Sequence, residues 1–210
     1  MPITPSGKNA AETTVMNVAL MHLSKSPSAA LALGLNYQVE INYSGSNLVT
    51  TVGRTLLWDP TTAMQVRDAQ GVMGVQSPAM GLIHELAHAL FGYDEPQATI
   101  FETKVALELG EPVRATYDDA FSYITVENPT QHTENGVWVI RDIFGNIIKN
   151  AKYDGGTTAP KMGWAGTAGS GGGSGSGGSG GNSGGSAGPN PSNSNPNPKN
   201  PRVDQILLPE

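Results

Sequence analysis

Residues 11 to 24 carry apolar side chains at Val15, Val18, Ala19 and Leu23, the spacing of one helix face, and the pattern stops before Ser26-Pro27. From Tyr37 to Tyr43 the period changes to two, in a run rich in aromatic and β-branched residues, which predicts a strand ending in a Ser44-Gly45-Ser46 turn. Leu48 to Val52 and Arg54 to Trp58 read as further strand, broken by a bend or bulge at Gly53 and closed by Asp59-Pro60. Residues 61 to 76 have no clear period, contain Gly71 and Gly74, and read as a long loop with room for one helical turn.

Ser77-Pro78 is a helix start, a capping residue followed by a proline whose missing N–H costs nothing there. The helix it opens runs to about Phe91, where Gly92 is placed to end it. Asp94 caps a second helix that reaches Leu109 and stops at Gly110, with Pro112 beyond. So short a connection forces the two helices side by side, roughly antiparallel. Phe121 to Val126 and Val137 to Ile140 predict short strands, and Phe144 to Ile147 a turn into another.

Composition narrows the foldable part of the 210 residues. From about Gly163 to Pro201 the chain is almost entirely Gly, Ser, Asn, Pro and Ala, with too little apolar surface to offset the entropy of ordering it. The expected organisation is one domain over 1–160, a disordered linker over 161–201 and a short apolar-acidic tail over 202–210. A net charge of −6 with scattered Lys and Arg argues against a nucleic-acid partner. The longest apolar run is far short of a membrane span, and Met1 to Ala10 lack a hydrophobic signal core, so export would use no standard cleaved signal. Cysteine is absent, so any zinc must be held by His and carboxylates.

The chemistry concentrates in His84-Glu85-Leu86-Ala87-His88. Histidines four apart lie on one helix face, one turn apart, where both imidazoles reach a single ion. The glutamate between them points about a quarter-turn away and can take the proton of a zinc-activated water as it attacks a carbonyl. With four histidines in the chain, a chance HExxH is on the order of one per cent. Between Pro78 and Gly92 these three residues are the only ones that are neither apolar nor Gly. A helix apolar nearly all round is buried, and buried polar groups need partners.

Asp94, Glu95, Glu102 and Glu108 are the candidates for a third ligand. Folding the second helix back about Tyr93 sets His84 beside position 102 and His88 beside 98. That level favours Glu102, whose face it shares with the small Ala98, Thr99 and Ala106, and places Glu95 next in order.

Residues 54 to 117 resemble the NleD-like, effector-type metallopeptidases, found as injected bacterial effectors and as toxin domains. The resemblance is carried by Trp58-Asp59-Pro60, Ser77-Pro78-Ala79, Leu82 to Ala89, Thr99 to Thr103 and Leu109 to Tyr117. In that family the second helix carries Glu-Asn; Glu102 takes the glutamate position and Thr103 replaces the asparagine. The resemblance implies an α+β, zincin-like domain in which zinc is held by His84, His88 and Glu102, with Glu85 as general base. Arg114 and Tyr117 are candidates to stabilise the oxyanion. It implies a protein substrate, a secreted or injected effector or toxin with a virulence role, and a secretion apparatus or immunity protein as partner. The rival expectations are a non-toxin bacterial peptidase and a non-catalytic, zinc-stabilised binding module. Residues 48 to 57 are expected to offer a sheet edge to an extended substrate. His22 is expected to be partly buried or at the surface rather than a ligand, and His132 to sit in a polar loop.

Overall fold

The computed structural model describes residues 4–5, 9–34, 38–43, 55–92, 94–142 and 144–162, all within Met1–Gly169, the first of two units into which the chain divides. The linker and tail from residue 163 on, the Ser44-Gly45-Ser46 turn, the strand expected over 48–52 and Gly53 lie outside the described residues.

The elements run β1 (Thr4–Pro5), α1 (Ala10–Leu23), α2 (Pro27–Leu33), β2 (Gln38–Ile41), β3 (Thr55–Trp58), β4 (Thr62–Arg67), β5 (Met73–Gln76), α3 (Pro78–Phe91), α4 (Glu95–Leu109), β6 (Ala120–Thr125), β7 (His132–Glu134), β8 (Val137–Arg141) and β9 (Ile147–Lys152). Helices and small sheets alternate only loosely, which is the α+β class. Three sheets of three strands form: β1-β2-β3, parallel, and β5-β4-β6 and β7-β8-β9, both antiparallel.

The described residues bury two hydrophobic clusters. The first gathers Met16, Ala19 and Leu23 of α1, Ala29 and Ala32 of α2, Val39, Leu56 and Trp58 of the parallel sheet, and Leu82, Ile83, Leu86, Val105 and Ala106 of α3 and α4. The second joins the two antiparallel sheets through Ala63, Val75, Ile124, Val126, Trp138 and Ile140. Trp58 ties the first cluster to the start of α3, its indole N–H donating to the Pro78 carbonyl at 2.9 Å.

Several elements depart from the sequence reading. Ser26-Pro27 does not merely end α1; it opens α2, with Ser26 accepting from the Ala29 N–H. The stretch 61–76, expected as loop, is the hairpin β4–β5, paired from Met64↔Gln76 to Arg67↔Met73. Its period-2 signal is hidden because Thr62, Gln65 and Gln76 occupy buried positions where apolar residues would have marked it. Gly74 of β5 is required for packing, since a Cβ there would meet Pro112 Cβ and Cγ at 2.6 Å. His132 is not in a loop but fully buried on β7, and His22 is buried on α1. No helix among the described residues is long and apolar enough to cross a membrane.

Candidate metal centre

Helix α3 starts at Pro78, and Ser77, expected to cap it, makes no side-chain cap. Its side chain does not reach back to the helix; the Ser77 N–H and Oγ both donate to Glu111, at 2.8 Å each. Glu111 also accepts from His22 Nε2 at 2.7 Å, and its carboxylate is fully buried. Burial alone would raise its pKa, but His132 and His22 outweigh that and bring it to about 2. His132 donates from both ring nitrogens, Nδ1 to the Thr130 carbonyl at 2.6 Å and Nε2 to Glu134 at 2.7 Å, which requires the imidazolium. Burial works against that charge, and Glu111 and Glu134 more than restore it, so the pKa of His132 is raised. Although His22, Glu111 and His132 are close together, His132 Nδ1 is already spent on Thr130 and lies 3.9 Å from Glu111. This cluster is a hydrogen-bonded mount for α3 rather than a set of free ligands.

Gly92 ends α3 in the left-handed conformation, φ 65°, its N–H returning to the His88 carbonyl, and Asp94 caps α4 by accepting from the Gln97 N–H. The two helices therefore meet as the sequence indicates. At their junction three donor atoms converge. His84 Nε2 and His88 Nε2 are 3.2 Å apart, and Glu95 Oε2 lies 3.2 Å from the first and 3.4 Å from the second. Zinc bonds of about 2.0–2.1 Å to N and O donors at the corners of a tetrahedron give an edge of about 3.3–3.4 Å. The three separations match that edge, with the fourth corner left to the cleft.

Glu102, the ligand expected from the level of the helices, is at that level but on the other side of the ring. It is fully buried, 2.8 Å from His84 Nδ1, and accepts from Arg114 Nη2 at 2.5 Å. Helical levels set Glu102 beside His84 but do not specify which ring nitrogen it meets. Glu95, placed second because it stays near the turn, reaches back from the first turn of α4 to both histidines. Asp94 and Glu108 are spent elsewhere: Asp94 on its own helix, Glu108 on Ser26 and on the Ser28 N–H and Oγ at the start of α2.

Two groups meet His84 Nδ1, Glu102 Oε2 at 2.8 Å and Arg114 Nη2 at 3.0 Å. With the proton on Nδ1 and donated to Glu102, His84 presents the lone pair of Nε2 toward His88 and Glu95. Burial lowers the pKa of His84, and the hydrogen bond and charge of Glu102 raise it further than burial lowers it. Glu85 is half-buried in the same cleft; burial raises its carboxyl pKa above the ordinary value, against the pull of His84 and His88.

Arg114 is buried, held by Glu102, His84 Nδ1 and the Tyr117 carbonyl, with its guanidinium 5.1 Å from the Tyr117 ring centre. That geometry makes it the counter-charge of Glu102 rather than a free oxyanion donor. Tyr117 is 47 % exposed, its ring 6.4 Å from that of His84. Burial and the nearby Glu95 raise its pKa, so the phenol keeps its proton.

His84, Glu85, Glu95, Glu102, Arg114 and Tyr117 line a cleft of about 310 Å³, whose remaining walls are Met64, Gly81, Asp118, Ala120 and Tyr123. The described sheet residues in it come from β4 and β6. The edge anticipated over 48–57 is described only from Thr55, where β3 pairs with β2 and buries Leu56 and Trp58 in the core. Asp118 and Tyr123 were missed because no local motif marks them; only the packing of β6 against β4 brings them to the histidines. Compared with protein-family models, curated proteins and solved structures, the chain matches none of them.

Proposed function

We propose that the chain is a zinc-dependent endopeptidase of zincin-like build, acting on proteins of a target cell as a secreted bacterial effector or toxin. One observation carries the catalytic part: the tetrahedral spacing of His84 Nε2, His88 Nε2 and Glu95 Oε2 beside Glu85 in an open cleft. Three protein donors with an open corner is the pattern of catalytic zinc, since structural zinc is closed by four. The donor set, two imidazoles and a carboxylate without thiolate, suits zinc.

Zinc held there would bring the pKa of water near neutrality and polarise the scissile carbonyl. Glu102, neutralised by Arg114, holds His84 in the tautomer that leaves Nε2 unprotonated. Glu85 takes the proton from water as its oxygen bonds to the carbonyl carbon, and returns it to the leaving amine as the C–N bond breaks. Its raised pKa suits both halves of that exchange. Tyr117, protonated and at the rim, donates a hydrogen bond to the developing oxyanion. The resemblance to effector-type metallopeptidases supports the biological setting.

The test pairs metal content with activity. Purified wild-type protein should hold one zinc per chain and cleave peptides, while Glu85→Gln should keep its zinc and lose about 10²–10⁴-fold in kcat. Toxicity on expression in a target cell, abolished by the same substitution, would support the effector role. Wild-type protein that takes up no zinc on reconstitution would end the proposal.

A further inference from the structure

Each carboxylate in the cleft but one has an assignment. Glu95 faces the histidine pair, Glu102 faces Arg114 and His84, and Glu85 lies between the histidines on α3. Asp118 lines the same cleft, is exposed, and has no hydrogen-bond or ion-pair partner among the described residues. Its neighbour has taken the nearby cation: Arg67 donates to Asp119 from Nε at 3.2 Å and Nη2 at 2.8 Å. Thr116 Oγ1 also donates to Asp119, at 2.7 Å, and Arg114 Nη1 to the Tyr117 carbonyl, at 3.3 Å, so the turn bearing Asp118 is held on both sides.

Tyr123, 58 % exposed and paired with Met64, lines the same cleft. The register of β6 on β4 shifts between Gln65↔Ser122 and Val66↔Ala120, leaving Phe121 as the extra residue. That bulge lets Ala120 and Tyr123, three apart, line one cleft, where strict alternation would send them to opposite faces. The floor adds an unused acceptor, since Glu102 Oε1 is buried without a hydrogen-bond partner among the described residues. The one guanidinium in the wall is committed to Glu102, His84 and the Tyr117 carbonyl. The cleft is therefore rich in unmatched acceptors and aromatic surface and poor in free positive charge.

We propose that the cleft takes a basic side chain, Arg or Lys, of the peptide substrate beside the scissile bond, an assignment that rests on the peptidase reading. The cation pairs with Asp118 and lies against the exposed Tyr123 ring, while the aliphatic stem runs along Met64 and Ala120. The net charge of −6 favours the approach of such a substrate at low ionic strength.

Binding separates this assignment from catalysis. Zinc-loaded Glu85→Gln protein would be titrated with a capped pentapeptide holding one central arginine among alanines, and with the same peptide holding citrulline, its uncharged near-isostere. The arginine peptide should bind about tenfold tighter at low salt, an ion pair and a cation–π contact together. The preference should shrink at high salt, disappear in Asp118→Asn and weaken in Tyr123→Ala. Equal affinities, binding of neither peptide, or a preference that survives Asp118→Asn would overturn it. Wild-type protein that shows the arginine preference but cleaves no peptide would remove the peptidase reading and leave the basic-side-chain site standing. Cleavage without the preference would do the reverse.

Discussion

Exchanging Glu95 and Glu102, the two glutamates of α4 that face His84, for glutamine should produce opposite pairs of effects. Glu102 is fully buried against Arg114, whose side chain is only 4 % exposed. Glutamine at 102 keeps an acceptor but leaves that guanidinium without its counter-charge. Breaking a buried pair from one side costs about 3–5 kcal/mol, here an upper bound because a hydrogen bond survives. Zinc, however, loses only the carboxylate that orients His84, which lowers affinity by roughly 10–100-fold, about 1.4–2.7 kcal/mol. Glu95 is the reverse case. Its side chain is 50 % exposed, so Glu95→Gln should shift the stability of the metal-free protein by less than about 0.5 kcal/mol. It removes the one anionic donor, and affinity should fall beyond the roughly 100-fold limit of an outer contact. Urea unfolding of metal-free protein and competition for zinc against a chromogenic chelator measure the two quantities separately. A Glu102→Gln protein of normal stability that cannot hold zinc, beside a Glu95→Gln protein that binds it normally, would refute the geometric assignment and restore Glu102 as the ligand.

Tyr117→Phe should retain zinc and substrate binding and lower kcat by about 10²–10³-fold, the cost of one oxyanion donor; an unchanged kcat would make the ring a wall only. Glu111, depressed to about 2 in the fold against an ordinary 4.5, binds its proton more weakly folded than unfolded. Its stabilising contribution is therefore complete above about pH 4.5 and lost as pH falls toward 2. The raised pKa of His132 works oppositely, its contribution being complete below the ordinary 6.5 and lost as pH rises through the folded value. Urea midpoints of metal-free protein from pH 2 to 9 should fall on both sides, and an acid limb unchanged in Glu111→Gln would reject the assignment. Gly74→Ala drives a methyl into Pro112 and should cost about 1–3 kcal/mol in the same assay; no loss would mean the 111–114 segment yields freely.

What the sequence revealed was local. Pro78 at the first position of α3, the cap Asp94, the stops at Gly92 and Gly110, and the register of His84, Glu85 and His88 each depend on neighbours within a turn or two, and the helices form where those signals stand. Ser77 instead turns its hydroxyl to distant Glu111. The strand Val137 to Ile140 shows itself by its apolar run, and β8 spans it. What escaped was set by distant partners. Gln65 and Gln76 read as loop residues, yet they sit buried in β4 and β5, Gln65 donating to Tyr153 and the Gly155 carbonyl. His132 looked solvated until Thr130, Glu134 and Glu111 surrounded it. Helical levels placed Glu102 beside His84, but choosing between Nδ1 and Nε2 needs ring orientation, which Arg114, twelve residues on, helps decide.

The turn at Gly92 has a thermodynamic consequence of its own. His84, His88 and Glu95 all fall between residues 84 and 95, so bringing the three donors together closes only a short stretch of chain. Loop-closure entropy grows with the logarithm of that length and is small here. A chain that has lost its sheets can still coil α3 and α4 around an ion, so the unfolded ensemble would compete for zinc as well as the native state. Ion binding then protects the whole domain by less than its native-state affinity alone would give. Thermal stability would respond to zinc weakly, and the burden of keeping the domain folded would fall on the two hydrophobic clusters and the Glu111 mount beneath α3.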